Sequence, residues 1–155
     1  MTWDQSFTTD GLGLLLWVPS ISDVFNPSES ELAAGTDVTY SMRRFDDNPV
    51  YESLTLRRWR GSSGVESEPT QSVECEWVYS RVAPSVPQQL LVPGAVGFVA
   101  WRLGYPKETP VSAGQVFNGV YPVTAGAWRD GADLIASKVQ RLNVTGRVGR
   151  EVTVV

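Results

Sequence analysis

The chain has 155 residues, room for one domain and too little for two large ones. Its 17 acidic residues outnumber 13 basic ones for a net charge of -4, which argues against a free-standing nucleic-acid binder held by positive charge. There is no histidine and one cysteine, Cys75, so His-dependent nucleophile systems, Cys/His zinc sites and intrachain disulfides are excluded.

Hydrophobic residues make up 42%, an ordinary globular share that can fill a core without staples. Eleven of the 13 bases are Arg, a bias that suits bidentate contacts with carboxylates but also follows from a GC-rich genome. No apolar run approaches the roughly 20 residues of a bilayer span, and no membrane insertion is expected. The best run, Leu12 to Val18, follows Asp4 and Asp10 with no Lys or Arg before Arg43. It lacks the basic start of a signal peptide, so a soluble protein made without a targeting segment is expected.

The 14 glycines and 10 prolines divide the chain into short apolar runs at fairly even spacing, the all-β pattern. Leu14 to Val18 predicts a first strand ending at Pro19. Ser28-Glu29-Ser30-Glu31 fits the S-x-x-E capping box and predicts a helix of two turns at most, stopped by Gly35. Asp37 to Met42 alternates, with Val38, Tyr40 and Met42 on one face, and predicts a half-buried strand. Tyr51 to Arg60 is a weaker strand, and Gly61 to Gly64 a turn. Ser72 to Arg81 is the cleanest alternation, with Val73, Cys75, Trp77 and Tyr79 inward and Glu74 and Glu76 outward. Gln88 to Val92 predicts a short turn or helical piece, and Val96 to Leu103, apolar on both faces, a central strand. Gln115 to Thr124 predicts a strand in which Pro122 marks an edge or bulge. Ala127 to Asp133 predicts a turn, and Ile135 to Val148 one long final strand.

Glu74 and Glu76 share a strand face about 7 Å apart, a spacing two hydrolytic carboxylates could use, although such pairs normally come from different strands around a cleft. Asp46-Asp47-Asn48 and Asp130-Gly131-Ala132-Asp133 resemble pieces of calcium loops without the full ligand set, and turn geometry explains them better. Gly11-Leu12-Gly13 and Arg60-Gly61-Ser62-Ser63-Gly64 lack a phosphate-binding fingerprint. No catalytic, metal or cofactor set emerges, and no enzyme is expected. Arg43, Arg44, Arg57, Arg58 and Arg60 surround Asp46, Asp47, Glu52, Glu66 and Glu68. Such mixed charge fits a protein partner, with Arg pairing acids across an interface, or a solvated surface loop.

Several pieces then fall in a recognisable order. Val18-Pro19-Ser20-Ile21-Ser22-Asp23 closes the first strand, and Ser30-Glu31-Leu32-Ala33-Ala34-Gly35-Thr36-Asp37-Val38-Thr39 follows. Gly97 to Gly104, Val120-Tyr121-Pro122-Val123-Thr124 and Val144-Thr145-Gly146 complete the series. Over residues 14 to 148 this resembles the major tail tube proteins of long-tailed, non-contractile (siphovirus-type) bacteriophages, especially those infecting actinobacteria. Residues 43 to 70 resemble the family least.

The resemblance implies one mostly-β domain over residues 1–155: a β-sandwich or barrel with one short helix, an N-terminal arm (1–13) and a protruding loop or hairpin (43–70). It implies a structural virion protein, made in the host cytoplasm. Homohexameric rings would share a central β-barrel and stack into the tube that conducts the genome. A tape measure protein and a tail terminator would be its partners, and DNA would pass without specific binding. On this reading Glu74 and Glu76 face the lumen, where negative charge repels phosphates. Arg43, Arg44, Arg57, Arg58, Arg60, Asp46 and Asp47 then contact neighbouring subunits. The rival expectations are a tail terminator of related fold, which forms one ring and does not stack, a hydrolase on Glu74 and Glu76, and a carbohydrate-binding β-sandwich using its six Trp.

Overall fold

Leu14 to Val18 carry no polar side chain, and all are buried in the structure, a computed structural model that describes residues 13–46, 72–130 and 137–155. They lie in β1 (Gly13–Val18), which needs apolar groups on both sides because both sheet faces are covered there. The other strands are β2 (Thr36–Asp37), β3 (Met42–Asp46), β4 (Ser72–Val78), β5 (Val96–Leu103), β6 (Val116–Asp130), β7 (Ser137–Val144) and β8 (Gly149–Thr153). They form one antiparallel sheet in the order β2-β1-β5-β6-β7-β4-β3, with β8 also beside β6. The helices are α1 (Glu29–Ala33) and α2 (Val86–Leu90).

The sheet curls so that one face packs against itself. Leu15 and Trp17 of β1, Val99 and Trp101 of β5 and Tyr121 of β6 meet Val73, Cys75 and Trp77 of β4 and Leu142 of β7. Phe45 of β3 reaches Trp101 with ring centroids 5.1 Å apart, which brings an edge of the sheet onto its middle. On the reverse side of β1 and β5, Leu14, Leu16, Val18 and Ala100 pack with Leu32 of α1, Phe117 and Val152. Burying each large side chain stabilises the fold by about 1.5–3 kcal/mol.

The capping box forms as its spacing predicts. The Ser28 hydroxyl accepts from the Glu31 N–H at 3.1 Å, and Glu31 Oε1 accepts from the Ser28 N–H at 3.1 Å. Strands β4 and β5 also follow the expected pattern, although β4 stops at Val78 and leaves Tyr79 outside it.

Three expectations are corrected. The predicted strand from Asp37 to Met42 is a corner: a 3-10 turn over Thr39–Ser41 joins β2 to β3. The Thr39 hydroxyl turns inward to accept the Leu15 N–H at 2.8 Å, so Thr39 is buried while Tyr40 is 75% exposed. Residues 43–46 therefore lie in the sheet, and the rest of the 43–70 segment, with the 1–12 stretch of the arm, falls outside the described residues.

The predicted turn from Ala127 is strand as far as Asp130, because Trp128, Arg129 and Asp130 pair with Gln140, Val139 and Lys138. The predicted final strand over 135–148 ends at Val144, and a further strand, β8, follows from Gly149 in the same lane along β6. Val123 pairs with Val144 and Val120 with Gly149, so three steps on β6 face five on the partner, and the chain bulges between β7 and β8.

Of the two places expected for Pro122, an edge or a bulge, it takes the second, at that break. It pairs with Phe98 on one side, and its carbonyl accepts the Thr145 N–H at 2.9 Å on the other. With no N–H, Pro122 cannot return that bond, which the break in the lane tolerates.

Candidate functional site

The side of β3 and β4 turned away from the curled core is charged. In β4 the period of two sends Val73, Cys75 and Trp77 inward and Glu74 and Glu76 outward. In β3 the register slips by one between Met42, opposite Trp77, and Arg44, opposite Glu76. The extra residue is Arg43. This β-bulge places both Arg43 and Arg44 beside Glu76, each with Nε 3.8 Å from a carboxylate oxygen.

Glu74 is the better-held carboxylate. Arg44 Nη2 donates to Oε1 at 2.8 Å, and Arg129 Nη2 donates to Oε2 at 2.9 Å. Asp46 Oδ2 lies 3.8 Å from Arg44 Nη1, and Glu76 Oε2 accepts the Ser137 hydroxyl at 3.0 Å. The hydrogen bond to Glu74 holds the Arg44 guanidinium above its ordinary value, against its partial burial. Glu74, Glu76, Arg43, Arg44 and Asp46 are thus brought together on one face, with Arg43 and Arg44 paired inside their own chain. Asp47, Arg57, Arg58 and Arg60 fall outside the described residues.

Arg129 belongs to this face but was expected in a turn. Its side chain crosses the β7 lane, because Arg129 pairs with Val139 and Val139 with Glu76 of β4. Val139 beneath is only 7% exposed although it lies on the outward side.

Two other polar groups are absent from the sequence reading. Gln140 is fully buried: its Nε2 donates to the Leu91 and Gly126 carbonyls at 2.8 and 3.0 Å, and its Oε1 accepts the Trp77 indole N–H at 3.1 Å. The period-two face of Leu142 and Val144 contains position 140, so a polar residue on an apolar face was the available signal. Arg102 is also fully buried and donates to Gln115 Oε1 and the Thr109 carbonyl, both at 2.9 Å, pinning the loop after β5. Burial pushes this guanidinium below its ordinary value.

The rival chemistries find little geometry. Trp17, Trp77 and Trp101 are core residues and offer no sugar-stacking surface. Trp128 lines a shallow groove of about 290 Å³ with Tyr79, Gln88, Val92, Pro93 and Lys138, and Glu74 and Glu76 are not among the lining residues. Among the described residues no group of three or more His, Cys, Asp or Glu side chains could hold a metal. No described helix is long and apolar enough to cross a membrane.

A charged face on a curled, closed-core β sheet suits a structural subunit better than a cleft enzyme. No curated protein matches the chain. The family model described as phage tail tube protein matches residues 1–155, the whole sequence. The chain therefore belongs to the phage tail tube protein family, a structural component of the virion tail that assembles with itself into a tube.

Proposed function

We propose that six copies of this chain close into a ring, and that rings stack into a tube of the siphovirus type that conducts the genome into the host. A tape measure protein inside the tube and a terminator at its end are the partners on this reading, and the subunit performs no catalysis. The observation that carries the proposal is the distribution of wet and dry surface on one sheet. The second face of β1 and β5 is covered by α1 and the β8 region. The charged face of β3 and β4, reached by Arg129 of β6, is covered by neither described helix. A bore filled with water and DNA needs such a face.

The edges support ring closure. Among the described residues β3 has a strand partner, β4, on one side only. An open edge is a liability in a monomer and a joint in a ring, where a neighbouring subunit continues the sheet. On this proposal Glu74 and Glu76 face the lumen. Arg43, Arg44 and Asp46 sit on the joining strand, and Asp47, Arg57, Arg58 and Arg60 contact the neighbouring subunit.

Electron microscopy of the purified protein at increasing concentration tests this reading. Six-fold rings that stack into long tubes are expected. Single rings that never stack point to a terminator, and a monomer at every concentration overturns the proposal.

A further inference from the structure

We propose that Glu74 is a mask: it occupies the guanidiniums of Arg44 and Arg129 so that neither captures DNA phosphate. The inference rests on the reading of this face as the lumen wall. It changes the role of the carboxylate from a free negative charge that repels DNA to a clamp on two positive ones.

The geometry is two-sided. Arg44 comes from β3 and Arg129 from β6, and each donates to a different oxygen of Glu74, at 2.8 and 2.9 Å. Carboxylate and phosphate compete for the same planar N–H fork, so a guanidinium engaged by one has fewer donors for the other. Both guanidiniums are within reach of solvent, with the Arg44 side chain 43% and the Arg129 side chain 60% exposed. Without Glu74, Arg129 loses this carboxylate and Arg44 keeps only its 3.8 Å contacts with Asp46 and Glu76, so both have donors to offer a phosphate that approaches. The cluster sets Arg43, Arg44 and Arg129 against Asp46, Glu74 and Glu76, and Arg141 of β7 stands opposite Glu74 in register. Loss of one carboxylate leaves it basic although the chain as a whole stays acidic. Repetition at every subunit and every ring would then turn a sliding surface into an adhesive one, since each phosphate neutralised releases counterions.

The test measures binding of a labelled DNA duplex to the purified full chain as salt is varied. Glu74→Gln is expected to bind at least about tenfold tighter than wild type at low salt. Its plot of log affinity against log salt should steepen by roughly two, one unit for each Arg released. Glu74→Asp keeps the charge but is too short to hold both guanidiniums, and should steepen it by about one. Adding Arg44→Gln and Arg129→Gln to Glu74→Gln should return affinity to the wild-type level.

The mask is overturned if folded Glu74→Gln and Glu74→Asp bind no tighter than wild type, or if the gain survives loss of both Arg. Assembled tubes separate this result from the lumen reading. DNA held by Glu74→Gln tubes and protected from nuclease supports both ideas. DNA held but digested keeps the mask and overturns the lumen assignment.

Discussion

The Arg129 guanidinium crosses the β7 lane to reach Glu74, with Nη2 2.9 Å from Oε2. The two residues are 55 positions apart in sequence, and the bond ties the end of β6 to β4 over the intervening strand. With Arg129 60% exposed, the pair belongs to the class of surface ion pairs worth about 1 kcal/mol or less. Arg129→Ala should therefore lower the thermal midpoint by no more than about 4 °C. A larger fall in a thermal melt would assign the contact to the stability of the sheet and not to its surface charge.

Gln140 should matter far more. It connects β7 directly to the Trp77 indole on β4, to the Leu91 carbonyl after α2 and to the Gly126 carbonyl of β6, where the register with β7 shifts between Ala125 and Trp128. Gln140→Leu has similar volume but takes the partner from the Trp77 indole N–H and the Gly126 carbonyl, while the Leu91 carbonyl keeps the Trp128 indole N–H at 2.9 Å. A loss of about 2–4 kcal/mol is expected, read from the urea midpoint at unchanged slope.

Gly97 lies where β5 passes the Trp17 ring. A Cβ there would stand 2.6 Å from Trp17 Cζ2 and 3.0 Å from the Val18 carbonyl oxygen. Trp17 is 8% exposed and has no free side to move toward. Gly97→Ala is expected to cost about 1–3 kcal/mol by overpacking. Near-ultraviolet circular dichroism should show the indole displaced.

Acid should weaken the corner between β2 and β3. Burial opposes ionisation of Asp37, but hydrogen bonds from the Lys107 ammonium at 2.7 Å and the Thr39 N–H at 2.9 Å outweigh it and hold the carboxyl below its ordinary value. A carboxyl lowered in the folded state binds its proton more readily when unfolded. Its contribution is complete above the ordinary Asp value of about 3.9 and is lost as pH falls through the lower folded value. Asp37→Asn should lower the melting temperature at pH 7 and flatten its fall below about pH 4. Equal slopes in the two proteins would remove Asp37 from the acid response.

The sequence by itself determined the features that depend on near neighbours. The capping box needs only Ser28 and Glu31 three positions apart, and it formed. The alternation of Val73, Glu74, Cys75, Glu76 and Trp77 sorted inward from outward side chains correctly, because a strand face is a local property of period two. The apolar run Val96 to Leu103 marked a central strand because both faces needed cover. The order of pieces along the chain was enough to indicate the tail tube family.

Tertiary structure decided what depends on partners distant in sequence. The local signals at Ala127 to Asp130 suggested a turn, yet the chain continues as strand because β7 supplies a ladder there. The strand expected over 135–148 ends at Val144, and the next strand beside β6 begins only at Gly149, on the other side of Pro122. Asp37 to Met42 alternated like a strand, but the Thr39 hydroxyl found the Leu15 N–H and turned a corner. Most of all, Glu74 and Glu76 looked like free charges on a wet face. The bulge at Arg43 and the reach of Arg129 across β7 made them members of an ion-paired cluster. Charge in a sequence is counted along the chain, whereas the charge that DNA meets is set by which side chains the sheet brings within a few ångströms of one another.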